Sequence, residues 1–335
     1  MAPNAKEIFL EFSEIKPMPN SKPLILSFGS INIDVTARAV RLPLPGETVH
    51  GESYAVMLGG KGSNQAAAAG RLASGSEVQV ALAGRIGQDG FGAQARQELE
   101  RFGVDLSPLR EDASHATGIA LIGIDGSGEN CITVVGGANM AVDETDVDAA
   151  SDWIERAAVL LLQLEVPQQA VLAAARKARI KGAIVVLDPA PAPEKGLLDA
   201  LWQEIDIITP NESETFQLTG IRPETVEDAA RAADLLLAKG VKSVLVKMGS
   251  RGVFWHDGTR SGHSAPFYIE PIDTVAAGDC FNAGLAFALA QGKPLSEAVR
   301  VASACGALAT TRHGAADAAP AWDAVAALMN AQPEA

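Results

Sequence analysis

Three cysteines in 335 residues, Cys131, Cys280 and Cys305, supply neither a disulfide framework nor a Cys-x-x-Cys metal pattern, and a reducing compartment suits the chain best. Basic residues are also scarce. The 27 Lys and Arg stand against 41 Asp and Glu, and a formal charge of −14 would repel a polyphosphate backbone over most of the surface, so nucleic acid is a poor partner. No stretch approaches the roughly 20 apolar residues needed to cross a bilayer. The first 23 residues carry no apolar run of the length a secretory signal needs, and the expectation is a poorly ordered extension on a cytoplasmic protein. The five histidines show no metal-ligand spacing. A Gly-x-Ser-x-Gly elbow is missing, which leaves a serine hydrolase without support. Internal repeats and low-complexity tracts are missing too.

What is present is ample apolar content, 47% of residues, arranged in short runs between helix-patterned segments. The runs are Leu24 to Phe28, Val78 to Ala83, Val159 to Leu162, Ala183 to Leu187, Ile205 to Ile208 and Val244 to Val246. They are apolar throughout rather than alternating, as strands covered on both faces are, so the pattern predicts an α/β fold with a mainly parallel central sheet flanked by helices. Thr225 to Lys239 is expected to be one covering helix, with Val226, Ala230, Ala233 and Leu237 as its buried stripe. Two regions, about 32–57 and 117–135, look like strands and hairpins instead and predict a small β-structured lid.

The strongest local signal is Asp273-Thr-Val-Ala-Ala-Gly-Asp279 followed by an apolar helix to about Ala290. Small residues at Ala276, Ala277 and Gly278 would leave the N–H groups of a helix N-terminus open to an anion, and Asp279 in the first turn could take a proton from an alcohol held against the same phosphorus. A plain acidic N-cap explains the same residues. Gly59-Gly60-Lys61-Gly-Ser-Asn64 opens an alanine-rich helix and offers Lys61 and Asn64 as donors for sugar hydroxyls, or serves only as a tight turn. It is not a Walker A loop, because Gly62 follows Lys61.

Asn32 and Asp34 follow the first strand, where alternate extended positions could fork a diol, although a solvated loop explains them equally, and Glu165 follows another strand end. Asn211 with Glu214 could hold a hydrated magnesium ion and a phosphate, or simply start a helix. The turn Lys247-Met248-Gly249-Ser250-Arg251-Gly252 joins two strands and could also pass close to a nucleotide.

In their order along the chain these motifs resemble the ribokinase-like (PfkB) family of sugar kinases, from about Leu24 to Pro320. Further shared stretches are Pro45-Gly-Glu-Thr48, Gly128-Glu-Asn130, Gly137-Ala-Asn139, Gln163-Leu-Glu165 and Asp188-Pro-Ala-Pro191. The resemblance implies one kinase domain over 24–330 that transfers phosphoryl from ATP to a sugar hydroxyl, with D-ribose the implied acceptor and Asp279 the base. It implies that Asn32, Asp34, Gly60, Lys61, Asn64 and Glu165 bind the sugar. Asn211, the turn 247–252, Gly278 and Ser303 would contact ATP, and Glu214 would act through Mg²⁺. Potassium activation is implied at Asp273, Val275, Ala309, Arg312, Gly314 and Ala318, and a homodimer through the lid. Two residues depart from the family pattern: Lys247 stands where many members carry threonine, and Ala318 where they often carry serine.

Other acceptors of the same chemistry would be a nucleoside, fructose or a keto-deoxy sugar acid. A nucleoside base needs an apolar or aromatic cradle, and the lid segments offer little beyond Tyr54. A non-catalytic sugar-binding regulator would not need Asp279, the anion-binding glycine and Glu214 together.

Overall fold

A computed structural model of the chain describes residues 22–333. Of the expected N-terminal extension, only Lys22 and Pro23 fall within them. Thirteen strands form two sheets. In chain order they are β1 Leu24–Phe28, β2 Asn32–Ala39, β3 Gly51–Gly59, β4 Gln79–Gly87, β5 Leu109–Asp112, β6 Gly118–Ile124, β7 Asn130–Val135, β8 Ala157–Leu162, β9 Ile184–Leu187, β10 Ile207–Ile208, β11 Ser243–Lys247, β12 Val253–His256 and β13 Ser261–Ser264. The large sheet runs β13-β12-β11-β10-β9-β8-β1-β4-β5, parallel except where β12 and β13 join its edge antiparallel. The helices are α1 Lys61–Ala73, α2 Gly90–Arg101, α3 Glu144–Ala149, α4 Ser151–Arg156, α5 Gln168–Ile180, α6 Asp199–Trp202, α7 Glu212–Thr219, α8 Val226–Leu237, α9 Ala277–Ala290, α10 Leu295–Ala309 and α11 Trp322–Ala331.

All six apolar runs lie in parallel strands or lead into them. Alternate residues of those strands enter two separate cores: Ile25, Val159, Val186 and Leu245 pack with α1, α9 and α10, while Leu26, Leu160, Val185 and Val244 pack with α5 and α8. Both faces being covered is what made the runs continuous. Among the described residues no helix is long and apolar enough to cross a membrane.

The two β-rich regions form a second sheet, β3-β2-β6-β7, as expected. Its inner strand β2 follows β1 after three residues, so the start of β2 is tied to the carboxyl end of the large sheet. One expectation needs correction. The helix over 226–237 is present, capped by Thr225, but its buried stripe is Ala229, Ala232, Ala233 and Leu236. Val226 is exposed, and Ala230 and Leu237 are only half-buried.

Candidate active site

Five neighbouring parallel strands end in polar residues. Beyond β1 come Ser30 and Asn32, beyond β8 Gln163 and Glu165, beyond β9 Asp188, beyond β10 Thr209 and Asn211, and β11 ends in Lys247. The chain passes from β1 to β4 on one side and β8 lies on the other, so these ends converge beside a topological switch point, where open α/β sheets bind ligands.

The amino ends of α1 and α9 close this site. Asp279 lies in the first turn of α9 and is 4% exposed. Asn64 Nδ2 donates to its Oδ2 at 3.2 Å and Gln65 Nε2 to its Oδ1 at 3.1 Å. Burial raises its pKa and Lys61 opposes that rise, with Asp188 adding to it; the net direction is upward. Ala276, just before α9, adopts φ 56°, the only positive φ of a non-glycine among the described residues. Strain of this kind collects at functional sites, and here it opens α9 with a first turn that no side chain caps. The expected anion hole is smaller than the sequence suggested: the Ala277 N–H donates to the Thr274 carbonyl at 3.3 Å.

Lys61 begins α1, and its backbone N–H donates to Glu165 Oε2 at 2.9 Å, an oxygen that also accepts from Ser30 Oγ at 2.6 Å. Burial disfavours the Lys61 ammonium, yet Asp279, Asp188, Glu165 and Glu214 outweigh it and keep the group charged. Asn32 is held by Asn139, whose Nδ2 donates to Asn32 Oδ1 at 2.7 Å. Asp34, two positions on, is pushed up to about 6 by burial, then by Glu165 and Asp279. The side-chain oxygen of Asn64 is buried without a hydrogen-bond partner, an acceptor that a ligand hydroxyl would satisfy.

Asp188 received no role from the sequence, but it is a hub. Its Oδ1 lies 3.1 Å from Lys247 Nζ, and its Oδ2 lies 3.7 Å from Lys61 Nζ and 3.3 Å from Gln65 Nε2. Burial opposes its ionisation, but Lys247 and Lys61 prevail and hold its pKa low. Gln65, Ser30, Asn139 and Gln163, whose Nε2 donates to Gln65 Oε1 at 2.7 Å, were also missed. Asp188 offered two signals, a polar residue directly after an apolar run and the shared stretch Asp188-Pro-Ala-Pro191, and neither shows its partners.

The residues expected to contact ATP lie beyond β10 and β11 and on α9 and α10. Asn211 and Glu214 form a reciprocal capping box on α7, with Asn211 N–H and Nδ2 each 2.8 Å from the Glu214 carboxylate, so the helix-start reading is realised in full. Burial raises the Glu214 pKa, Lys247 opposes it and Asp188 reinforces it. The turn 247–252 is a hairpin link between β11 and β12, and Lys247 N–H donates to the Pro210 carbonyl at 2.9 Å, which seats it beside Asn211. Within this turn Met248 is buried, while Arg251 pairs with Glu212. Ser303 stands on α10, its buried hydroxyl unpartnered.

The loops expected to hold a monovalent cation are brought together. Asp273 N–H donates to the Thr310 carbonyl, and Asp273 Oδ2 accepts from Gly314 N–H at 3.3 Å and Oδ1 from Val275 N–H at 3.0 Å. Arg312 N–H donates to the Ala309 carbonyl, and Ala318 closes the next short turn onto Ala315. A surface cavity of about 960 Å³ opens by the first residues of β4 and the last of α1, with Asp317 in its lining, and none of the residues expected to bind the sugar or ATP lines it.

The chain is similar over most of its length to proteins of known activity. The chain is 38% identical to the ribokinase of Haemophilus influenzae over 87% of its own length and 94% of the relative's. It is 30% identical to the deoxyribokinase of Salmonella typhi over 87% and 93%. The solved structure of Arabidopsis thaliana ribokinase complexed with ribose and ATP superposes with a TM-score of 0.84 at 32% identity, covering 92% of this chain and 99% of that one. With residues 22–322 matching the profile of the pfkB family carbohydrate kinases, the chain belongs to that family.

Proposed function

We propose that this protein is a ribokinase, converting D-ribose and ATP to D-ribose 5-phosphate and ADP. The observation that carries the reading is the meeting at Asp279 of two helix amino ends: α1 brings Lys61, Asn64 and Gln65, and α9 brings Asp279 itself in a first turn that no side chain caps. Asn32, Asp34, Gly60, Lys61, Asn64 and Glu165 bind the sugar, the carboxylates and amide oxygens accepting from its hydroxyls. Asp279 takes the proton of the attacking hydroxyl, whose oxygen bonds to the γ-phosphorus in line as the bond to the β–γ bridging oxygen breaks. The pair of electrons leaves with ADP. The raised pKa of Asp279 suits a group that must accept a proton during the step.

ATP lies over α9 beside Asn211, the turn 247–252 and Ser303. Among the described residues no three His, Cys, Asp or Glu side chains gather as a metal cage. One buried carboxylate, Glu214, fits an Mg²⁺ ion that arrives on the phosphates and keeps its waters, and such an ion would offset phosphate charge. The Asp273 carboxylate and the carbonyls of the adjoining loop are oxygen donors of the kind potassium takes. The small sheet serves as a lid over the sugar. Ile132 and Val134 on β7 share the face of Asp34, through pairings of Val134 with Ala120 and of Ala120 with Asp34, and both are exposed apolar residues. A second copy covers them in a homodimer.

The deciding experiment is a coupled ADP-release assay across D-ribose, 2-deoxyribose, fructose, a keto-deoxy sugar acid and a nucleoside. Selective turnover of ribose is expected. Selective turnover of a nucleoside would overturn the assignment.

A further inference from the structure

We propose that the Lys247 ammonium is itself a catalytic group, pairing with the phosphoryl group in transfer, and that Asp188 is the positioning residue that holds it at the head of α9. The inference rests on the kinase reading and deepens it, turning one residue of an ATP-contacting turn into a charge on the reacting phosphorus.

Distance is the first ground. Lys247 Nζ lies 3.1 Å from Asp188 Oδ1, and a methyl group built on Gly278 would come within 3.4 Å of it. Gly278 is the second residue of α9 and immediately precedes Asp279, so the ammonium stands beside the uncapped first turn of that helix. Restraint is the second. The Lys247 side chain is 13% exposed, lies 5.9 Å from the centre of the Phe281 ring and has a backbone fixed in β11. Net charge is the third. Asp34, Glu165, Asp188, Glu214 and Asp279 crowd this end of the sheet, and every one of them repels a triphosphate. Lys61 and Lys247 are the two ammonium groups that the Asp188 carboxylate bridges.

In the transfer step Lys247 makes and breaks no covalent bond. The sugar oxygen bonds to the γ-phosphorus, its proton passes to Asp279, and the bridging oxygen leaves with ADP. The ammonium offsets the charge on the equatorial oxygens while this happens, as preorganised donors do. Asp188 has the opposite requirement. It must hold the lysine in place before ATP arrives without touching the phosphate.

The test uses the full chain and the variants Lys247→Met, Lys247→Arg and Asp188→Asn. Lys247→Met is expected to lower kcat about 100-fold, the loss typical of removing one preorganised donor, with the sugar KM little changed. Lys247→Arg should recover part of that loss because it restores the charge. Asp188→Asn should lower kcat as well, and by a smaller factor in the Lys247→Met background than in the wild type, since only the part of its effect that passes through Lys247 is already lost there. A Lys247→Met enzyme with wild-type kcat, or one whose whole loss lies in the sugar KM, overturns the proposal. Should Lys247→Met fail to fold, Lys247→Gln is titrated with ADP and with a non-hydrolysable ATP analogue. Loss of the wild-type preference for the triphosphate is expected, and an unchanged preference overturns the proposal. A wild-type protein that phosphorylates no sugar would instead sink the kinase reading, while the nucleotide titrations would still decide the role of Lys247.

Discussion

Gln65 Nε2 donates to Asp279 Oδ1 at 3.1 Å, so the carboxylate at the head of α9 is oriented by a side chain 214 positions earlier in the chain. The same amide nitrogen reaches Asp188 Oδ2 at 3.3 Å, and Gln163 holds the amide oxygen. The proposed base is thus fixed by a chain of amides that has no freedom to rotate independently.

Asp279→Asn keeps the size and the buried setting of the side chain but removes its capacity to accept a proton. Turnover should fall by about 100- to 10,000-fold, with sugar affinity by calorimetry changing little. Wild-type turnover in this variant would show that position 279 is not the base.

Asp34 titrates near 6 in the folded protein, against an ordinary carboxylate value of 3.8. The folded state therefore binds more protons than the unfolded one between those values. The resulting stability is fully present below 3.8 and is lost as pH rises through 6. Asp34→Asn should accordingly raise the melting temperature at pH 7.5 relative to wild type, with little gain at pH 4. Sugar binding by the wild type should tighten as pH rises through 6, because only the ionised carboxylate accepts hydrogen bonds at both oxygens. A flat pH profile of sugar affinity would remove Asp34 from the sugar site.

Gly60 has φ 89°, and a methyl group built on it would lie 2.7 Å from the backbone nitrogen of Asn32. Gly60→Ala therefore meets an unfavourable backbone conformation and a collision with main chain, which cannot yield as a flexible side chain can. A loss of about 1–3 kcal/mol in urea unfolding is expected. The sugar KM should rise at the same time, because the displaced residue is Asn32.

Val134 is 58% exposed on the face that carries Asp34. Val134→Lys should halve the mass observed by sedimentation and raise the sugar KM, with the monomer still folded. An unchanged mass would place the subunit contact elsewhere.

Much of this architecture was legible because the strands are covered on both faces, and Leu24–Phe28 or Ala157–Leu162 then need no partner to be recognised. The stripe of α8 was harder. Its buried face is mostly alanine, so the larger Val226 and Leu237 drew the assignment around the helix although they lie at its margins. Within the site, Asn32, Asp34, Asn64 and Asp279 sit in motifs whose local spacing carries information. Asp188 opens such a stretch and Gln65 directly follows one, but neither stretch shows what these side chains meet. Their roles depend on partners 59 to 214 residues away, which only the folded sheet brings within reach.

Asn32 and Asp34 belong to β2, an inner strand of the small sheet, whereas Asp279 belongs to a helix packed on the large one. Two of the groups that would grip a sugar, Asn32 and Asp34, and the group that would deprotonate it are therefore mounted on different slabs. Any tilt of one slab against the other changes the gap that the acceptor must fill. A molecule lacking the hydroxyls that draw the slabs together, water included, would leave that gap open, so selection of the acceptor and protection of ATP from wasteful hydrolysis become a single mechanical event.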